Sequence, residues 1–222
     1  LYKEYRDGCK EAYRELVHLP SHSLDTNRQA KLVRPLYMHL LDEKDEKYAK
    51  ERLIKALEDY GWRLGTGFLS TPFILYVLSD INAEYAYKLL ENEEMPGWLF
   101  MTKNGANTIW ESWEGTSAQS GIASLNHYSK GAVVEWLFDS MCGIRIRGEN
   151  EFDITPEPGG HFRFAKAKYD SEYGRVESGW EKKEGKVIYH ISVPSNTKAY
   201  VKLPNGREEI LTSGDYVFEE TL

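Results

Sequence analysis

The chain has 222 residues, of which 41% are hydrophobic and 28% are charged, and its formal net charge is −7. This composition is typical of a globular protein with one large or two small domains, and the acidic balance argues against a nucleic-acid surface. No apolar run is long enough to cross a membrane, and no signal peptide is visible. The only two cysteines, Cys9 and Cys142, have no zinc-site spacing, so we expect buried thiols and neither metal nor cofactor.

Apolar residues recur at helical spacing through the first sixty positions. The pattern predicts a first helix that ends near His18, a second with Pro35 inside it, and a third that stops at Gly61. Pro35 predicts a kink or a late start of the second helix, and we expect the apolar faces of all three helices to be buried. The helical pattern begins at Leu1 with no cap, which predicts that the chain is a fragment of a longer protein.

After Gly61 the pattern predicts helices joined by glycine-rich loops, as in helical hairpins stacked around a centre. Ser70 is the expected N-cap of one helix, and Asn82 opens the next. The segment between residues 91 and 129 is long for a loop, and its aromatic content argues against disorder, so we expect a functional loop. Residues 129–141 are predicted to form a single last helix.

From Ile144 onward the chain changes to short, partly alternating apolar runs separated by Pro, Gly and Asn turns. Such runs predict an antiparallel β-sandwich. The expected runs are 144–146, 152–154, 162–165, 186–193, 200–203 and 216–218. We therefore expect an α+β protein of two domains, residues 1–146 and residues 147–222.

A carboxylate between two indoles stands out in residues 108–115 (TIWESWEG), where Glu111 lies between Trp110 and Trp113. Carboxylates move protons at an acetal carbon, and indole faces cover the apolar faces of sugar rings. The competing interpretation is an aromatic cluster in a core, with Glu111 and Glu114 in water, and composition alone favours it. If residues 110 and 111 lie on a strand, their side chains point to opposite faces.

Five blocks, in their order along the chain, resemble the C-terminal half of the catalytic domain of bacterial α-L-rhamnosidases. These blocks are 61–72 (GWRLGTGFLSTP), 95–98 (MPGW), 105–115 (GANTIWESWEG), 125–128 (LNHY) and 131–133 (GAV). Gly97, Asn107 and Ser112 depart from the usual pattern of the family. Residues 194–204 resemble the small β-domain that follows the catalytic domain in these enzymes.

The resemblance implies a partial (α/α)6 toroid of helical hairpins followed by the β-sandwich. It implies hydrolysis of terminal α-L-rhamnosides with inversion, Glu111 as the general base, and His127 as a contact of the sugar. Trp110 and Trp113 are expected to line the pocket, and Trp98 is a weaker candidate. The general acid of the family lies in an upstream motif that has no counterpart here.

Several alternatives stay open. His127 could be a core histidine bonded to a backbone carbonyl, and Trp98 could be ordinary packing. Glu114 ranks below Glu111 as the base because Gly115 suggests a solvated turn. The chain could belong to another glycosidase built on the same toroid, or to a carbohydrate-binding or scaffold protein without activity. The expected partner is a rhamnose-containing glycoside, with no nucleic acid and no membrane, and self-association of the isolated chain is expected.

Overall fold

The computed structural model describes residues 1–119 and 121–221, which divide into two compact units. The first unit, Leu1–Val133, is helical, and the second, Val134–Leu222, consists mainly of β-strands. The predicted change from helices to strands is confirmed. The predicted domain boundary after residue 146 lies later than this division and stays a prediction.

The helices of the first unit carry apolar residues three or four positions apart, which places them on one face of each helix. The bounds are α1 Tyr2–Leu16, α2 Gln29–Tyr37, α3 Glu43–Asp59, α4 Ile74–Ile81, α5 Ala83–Leu90, α6 Trp98–Lys103 and α7 Tyr128–Gly131, and α8, Val133–Trp136, begins at the last residue of this unit. Helix α2 packs on α3 and α4, and α4 packs on α5. The core holds Leu32, Leu53, Leu57, Ile74, Leu75 and Leu78. Within the described residues no helix is long and apolar enough for a bilayer.

Helix α1 corrects one expectation, because none of its residues is buried. Its apolar face was predicted to be core, yet Tyr5 is 67% exposed. Cys9, on the same helix, is exposed, whereas Cys142 is buried as expected. Helix α1 therefore presents exposed apolar side chains, Tyr2, Tyr5 and Leu16 among them.

Two helix starts also differ from the predictions. Helix α2 begins at Gln29 and continues through Pro35 to Tyr37, so the late start that Pro35 predicted does not occur, although Pro35 has no N–H to donate to the preceding turn. Helix α4 begins only at Ile74, since Ser70 lies in a preceding turn in which its N–H bonds to the carbonyl of Gly67. The predicted cap at Asn82 is confirmed, because its side chain accepts the N–H of Glu84 at the start of α5.

The prediction of one helix over residues 129–141 is wrong. The chain forms α7, then α8, and then a π-helical turn, Leu137–Met141, in which the Cys142 N–H reaches the Leu137 carbonyl. Within the second unit, the indole N–H of Trp180 donates to the Met141 carbonyl at 2.8 Å. The Ser178 hydroxyl donates to the Cys142 carbonyl at 2.6 Å. These tertiary contacts engage the end of the helix, and local periodicity contains no information about them.

The second unit contains two four-stranded sheets, with orders β1-β2-β6-β7 and β3-β4-β5-β8. The bounds are β1 Ile144–Gly148, β2 Glu151–Ile154, β3 Phe164–Ser171, β4 Gly174–Lys183, β5 Lys186–Val193, β6 Lys198–Lys202, β7 Glu208–Leu211 and β8 Gly214–Thr221. The alternation that predicted β2 and β5 places Phe152, Tyr189 and Ile191 in the core, and β4 adds Val176 and Trp180 to it.

The sheet pairing is antiparallel as predicted, except that β2 and β6 run parallel. The chain leaves the first sheet after β2, forms β3 to β5 in the other sheet, and returns as β6, so this pair is not joined by a hairpin. Strands β4 and β7 were not predicted. In β4, Gly179 breaks the apolar pattern because a Cβ there would lie 2.8 Å from the Ala165 carbonyl oxygen of the neighbouring strand.

Candidate active site

Two loop segments of the first unit lie side by side and bring Glu111 and His127 onto neighbouring stretches of backbone. The Glu111 N–H donates to the Ser124 carbonyl at 2.8 Å, and the His127 N–H donates to the Ile109 carbonyl at 2.8 Å. The chain from residue 108 to 111 is not a regular strand, and these two backbone bonds join it to the segment 124–127. The two candidate residues are thus positioned by the same pair of segments.

The Glu111 carboxylate is fixed by the backbone of the facing segment. Its Oε2 atom accepts the Ser124 N–H at 3.0 Å, and the side chain is half-buried. Ser124 is fixed in turn, because its hydroxyl donates to the Asn126 carbonyl at 3.1 Å and accepts the Asn126 N–H at 3.2 Å. A carboxylate that accepts a backbone N–H keeps its position while the other oxygen can act on a ligand.

His127 is the N-cap of α7, and its hydrogen bonds define its tautomer. Its Nδ1 atom accepts the backbone N–H of Ser129 at 3.3 Å and lies 3.2 Å from the Ser129 hydroxyl. Because a backbone N–H only donates, Nδ1 is unprotonated, and the neutral imidazole carries its proton on Nε2. This arrangement differs from a core histidine bonded to a carbonyl, and it makes Nε2 a donor.

The His127 imidazole also lies in an aromatic stack. Its centroid is 4.5 Å from that of Phe68 and 5.0 Å from that of Tyr128, with interplanar angles of 27° and 20°. Offset stacking of this kind restricts ring rotation. Phe68 belongs to the glycine-rich segment before α4, so this segment supports the histidine.

Trp98 and Trp110 are buried, 4% and 6% exposed. The Trp98 indole N–H donates to the Lys130 carbonyl at 3.0 Å. The Trp110 ring lies against Gly115, which is buried with φ +53° and begins a 3₁₀ turn, Gly115–Ser117. The prediction of a solvated turn at Gly115 is therefore wrong, although Glu114 itself is exposed.

Trp113 is the half-buried indole of the group, and a lysine covers one of its faces. The Lys130 ammonium lies 3.8 Å from the Trp113 ring centroid and donates a hydrogen bond to the Glu111 carbonyl. Burial lowers the pKa of Lys130 to about 8, against the opposing effect of the Glu114 and Glu111 carboxylates. Lys130 thus connects Glu111 and Trp113 through its ammonium.

Three residues of this arrangement were missed from the sequence: Ser124, Lys130 and Phe68. Ser124 holds the carboxylate through its backbone, so its side-chain type gives no warning. Lys130 had a detectable signal, since it is the single cation in residues 128–138, a mainly apolar run. Within residues 1–119 and 121–221, no group of three or more His, Cys, Asp or Glu side chains could hold a metal ion.

Residues 1–141 match the family model described as the bacterial alpha-L-rhamnosidase 6 hairpin glycosidase domain. The chain belongs to the bacterial α-L-rhamnosidase family. Residues 148–218 match the bacterial alpha-L-rhamnosidase C-terminal domain. The resemblance and the fold class predicted from the sequence are confirmed, and all five candidate site residues fall within the glycosidase-domain match.

Characterised rhamnosidases agree with this assignment. An α-L-rhamnosidase of Streptomyces avermitilis is 35% identical over 184 residues, which is 79% of this chain and 18% of that protein. One from Formosa agariphila is 34% identical over 194 residues, which is 84% of this chain and 21% of that protein. The chain therefore spans about a fifth of the length of these relatives.

Solved α-L-rhamnosidases share the fold. The native Aspergillus terreus enzyme superposes with a TM-score of 0.88 at 26% identity, over 98% of this chain and 27% of that chain. The Streptomyces avermitilis enzyme complexed with L-rhamnose superposes with a TM-score of 0.80 at 30% identity, over 88% and 22% of the two chains.

Proposed function

We propose that this chain supplies the general-base side of a rhamnosidase active site, with Glu111 as the base in the hydrolysis of terminal α-L-rhamnosides with inversion. The observation that supports this role is the Glu111 carboxylate itself, held at Oε2 by the Ser124 N–H while His127 lies on the paired segment. Membership of the rhamnosidase family and the L-rhamnose complex of a relative support the choice of substrate.

In this mechanism a water molecule lies between Glu111 and the anomeric carbon. Oε1, the oxygen that Ser124 does not hold, takes a proton from the water as the water oxygen bonds to that carbon. The bond to the leaving oxygen breaks on the opposite face, and a general acid protonates that oxygen. Inverting enzymes keep the two carboxyl groups roughly 6.5–9.5 Å apart to admit the water. We assign the acid to no residue of this chain.

His127 orients the sugar in this proposal. Its Nε2–H donates to a ring hydroxyl, because Nδ1 is already engaged by Ser129. The stack with Phe68 and Tyr128 fixes the plane of the imidazole and hence the direction of that donor. A donor with a fixed direction distinguishes sugars by the position of their hydroxyl groups.

The three tryptophans divide into one contact residue and two supporting residues. Trp113 is half-buried, so part of its indole can cover the apolar C–H face or the methyl group of rhamnose. Trp110 and Trp98 are buried and act from behind the pocket by holding the loop that carries Glu111.

The test is Glu111→Gln in the complete gene product, with Glu114→Gln as the matched control. Glutamine keeps the shape and loses the base, so kcat on an aryl α-L-rhamnoside falls by about 10²–10⁴-fold. Glu114 is exposed and three residues away from Glu111, so its variant loses far less turnover than Glu111→Gln. Proton NMR of the first product shows β-L-rhamnose if the reaction inverts.

Wild-type turnover by Glu111→Gln, or α-L-rhamnose as the first product, contradicts the proposal. A panel of other aryl glycosides separates the alternatives. Preference for another sugar indicates a different glycosidase of the same fold, and saturable sugar binding without any turnover indicates a carbohydrate-binding protein.

A further inference from the structure

Lys130 is a lysine in an unusual place. Its side chain is 4% exposed, although it follows directly after the exposed Tyr128 and the buried Ser129. Burying an ammonium is unfavourable unless hydrogen bonds or charges compensate for the lost water. Because a hydrocarbon side chain would fill the same space without that cost, the retained charge calls for an explanation in the site.

The contacts of Lys130 converge on the candidate base. Its Nζ atom donates to the Glu111 carbonyl oxygen and lies 3.8 Å from the Trp113 ring centroid. Its own carbonyl accepts the Trp98 indole N–H at 3.0 Å. One residue therefore joins α6, α7 and the Glu111 loop, and three of the five residues predicted from the sequence contact it directly.

The charged groups around the ammonium are the carboxylates of Glu114 and Glu111 on the loop, and the titratable neighbours in its own segment are His127 and Tyr128. Both carboxylates stabilise the ammonium, and by the same interaction the ammonium stabilises a negative charge on each of them. In a partly buried site this attraction is screened less than at the surface.

We propose that Lys130 is a positioning residue for the general base: its ammonium holds the Glu111 main chain and the Trp113 ring, and its charge favours the ionised Glu111 carboxylate. This inference rests on the proposed role of Glu111. It assigns Lys130 no contact with the substrate. A base that takes a proton from water has to be ionised, so the residue acts on the reaction through Glu111 alone.

The experiment measures the pH dependence of kcat/KM on an aryl α-L-rhamnoside for Lys130 variants of the complete gene product. Lys130→Met removes the charge and keeps the length, whereas Lys130→Gln removes the charge and keeps a hydrogen-bond donor. Lys130→Arg keeps the charge. Lys103→Met, at an exposed lysine of the same region, is the matched control.

Loss of the charge moves the acidic limb of the profile to higher pH in both neutral variants. Misplacement of the base also lowers kcat, by up to about 10²-fold. In Lys130→Arg and Lys103→Met the acidic limb stays at the same pH as in the wild type, even if the maximal kcat/KM of either variant differs. Near-UV circular dichroism establishes that each variant is folded, and two neutral variants leave the test intact if one of them does not fold.

An unmoved acidic limb in a folded neutral variant overturns the inference, even if kcat falls, because lost packing alone produces that result. The proposed function fails separately. If Glu111→Gln retains turnover, Glu111 is not the base. If Glu111→Gln abolishes turnover but the acidic limb of the Lys130→Met profile does not move, only the role of Lys130 is wrong.

Discussion

Gly115 lies against the six-membered ring of Trp110 so closely that a Cβ at residue 115 would overlap the ring carbons. Its φ of +53° is also a conformation that other residues adopt only with strain. We predict that Gly115→Ala destabilises the folded chain by about 2–5 kcal/mol, from backbone strain plus overlap. Urea denaturation followed by tryptophan fluorescence measures the loss.

Gly105→Ala is the control for this prediction. Gly105 has φ +81°, but a Cβ there has no atom within 4 Å, so the variant carries strain without overlap. It should cost about 1 kcal/mol. Equal losses in the two variants would show that the contact between Gly115 and Trp110 contributes nothing.

The contrast between local and distant contacts explains what the sequence predicts. Helix α5 was predicted well because its spacing and its cap at Asn82 are local, and the stop of α3 before Gly61 is a local signal too. The π-helical turn Leu137–Met141, whose end bonds to Ser178 and Trp180, and the parallel pair β2–β6 involve contacts far along the chain, so no local pattern indicates them.

The candidate site divides in the same way. The residue types around Glu111 indicated the chemistry, and the family resemblance selected Glu111 and His127. The Ser124 N–H that holds the carboxylate and the Lys130 ammonium under Trp113 belong to the folded arrangement. Ser124 and Lys130 follow Glu111 by 13 and 19 positions, and sequence spacing gave no reason to connect them with it.

We predict that neutral His127 is the Nε2–H tautomer in solution. Its Nδ1 accepts the backbone N–H of Ser129, which cannot be reversed without moving the start of α7. Two-bond ¹⁵N–¹H correlation spectra distinguish the tautomers, and His127→Gln assigns the signal by removing it. Ser129→Ala should keep this tautomer, since the backbone donor remains. A protonated Nδ1 in the wild type would contradict the prediction.

The pKa of Lys130 predicts a stability that depends on pH. The folded chain releases the Lys130 proton near pH 8, whereas an unfolded lysine keeps it to about pH 10.4. Between these values the unfolded state binds more protons, so the free energy of unfolding rises with pH through this window. The rise amounts to at most about 3 kcal/mol.

Lys130→Met isolates this contribution, because the variant has no proton to release at this position. The difference in unfolding free energy, wild type minus variant, should increase between pH 8 and about pH 10 in urea titrations. A difference that stays constant across this window would mean that the folded chain holds the Lys130 proton as an unfolded chain does.

The last prediction concerns the 222-residue chain by itself. Helix α1 exposes a stripe of apolar side chains on one face, and residues 2, 5, 9 and 16 recur at helical spacing along it. Exposed apolar patches of this kind mark contacts with other protein surfaces. We therefore expect the isolated chain to self-associate in light scattering, with reductant present because Cys9 is exposed.

A charge on this stripe should weaken the association. Tyr5→Glu together with Leu16→Glu is expected to shift the chain toward monomer, whereas Lys3→Glu, which reverses a charge off the stripe and changes the net charge equally, is the control. An inverting site needs a second carboxyl group as the acid, and we assign none to these residues. The chain should therefore be inactive on aryl α-L-rhamnosides and bind rhamnose weakly. Rapid hydrolysis by a monomeric 222-residue chain would show that the acid lies within it and that the site around Glu111 is complete.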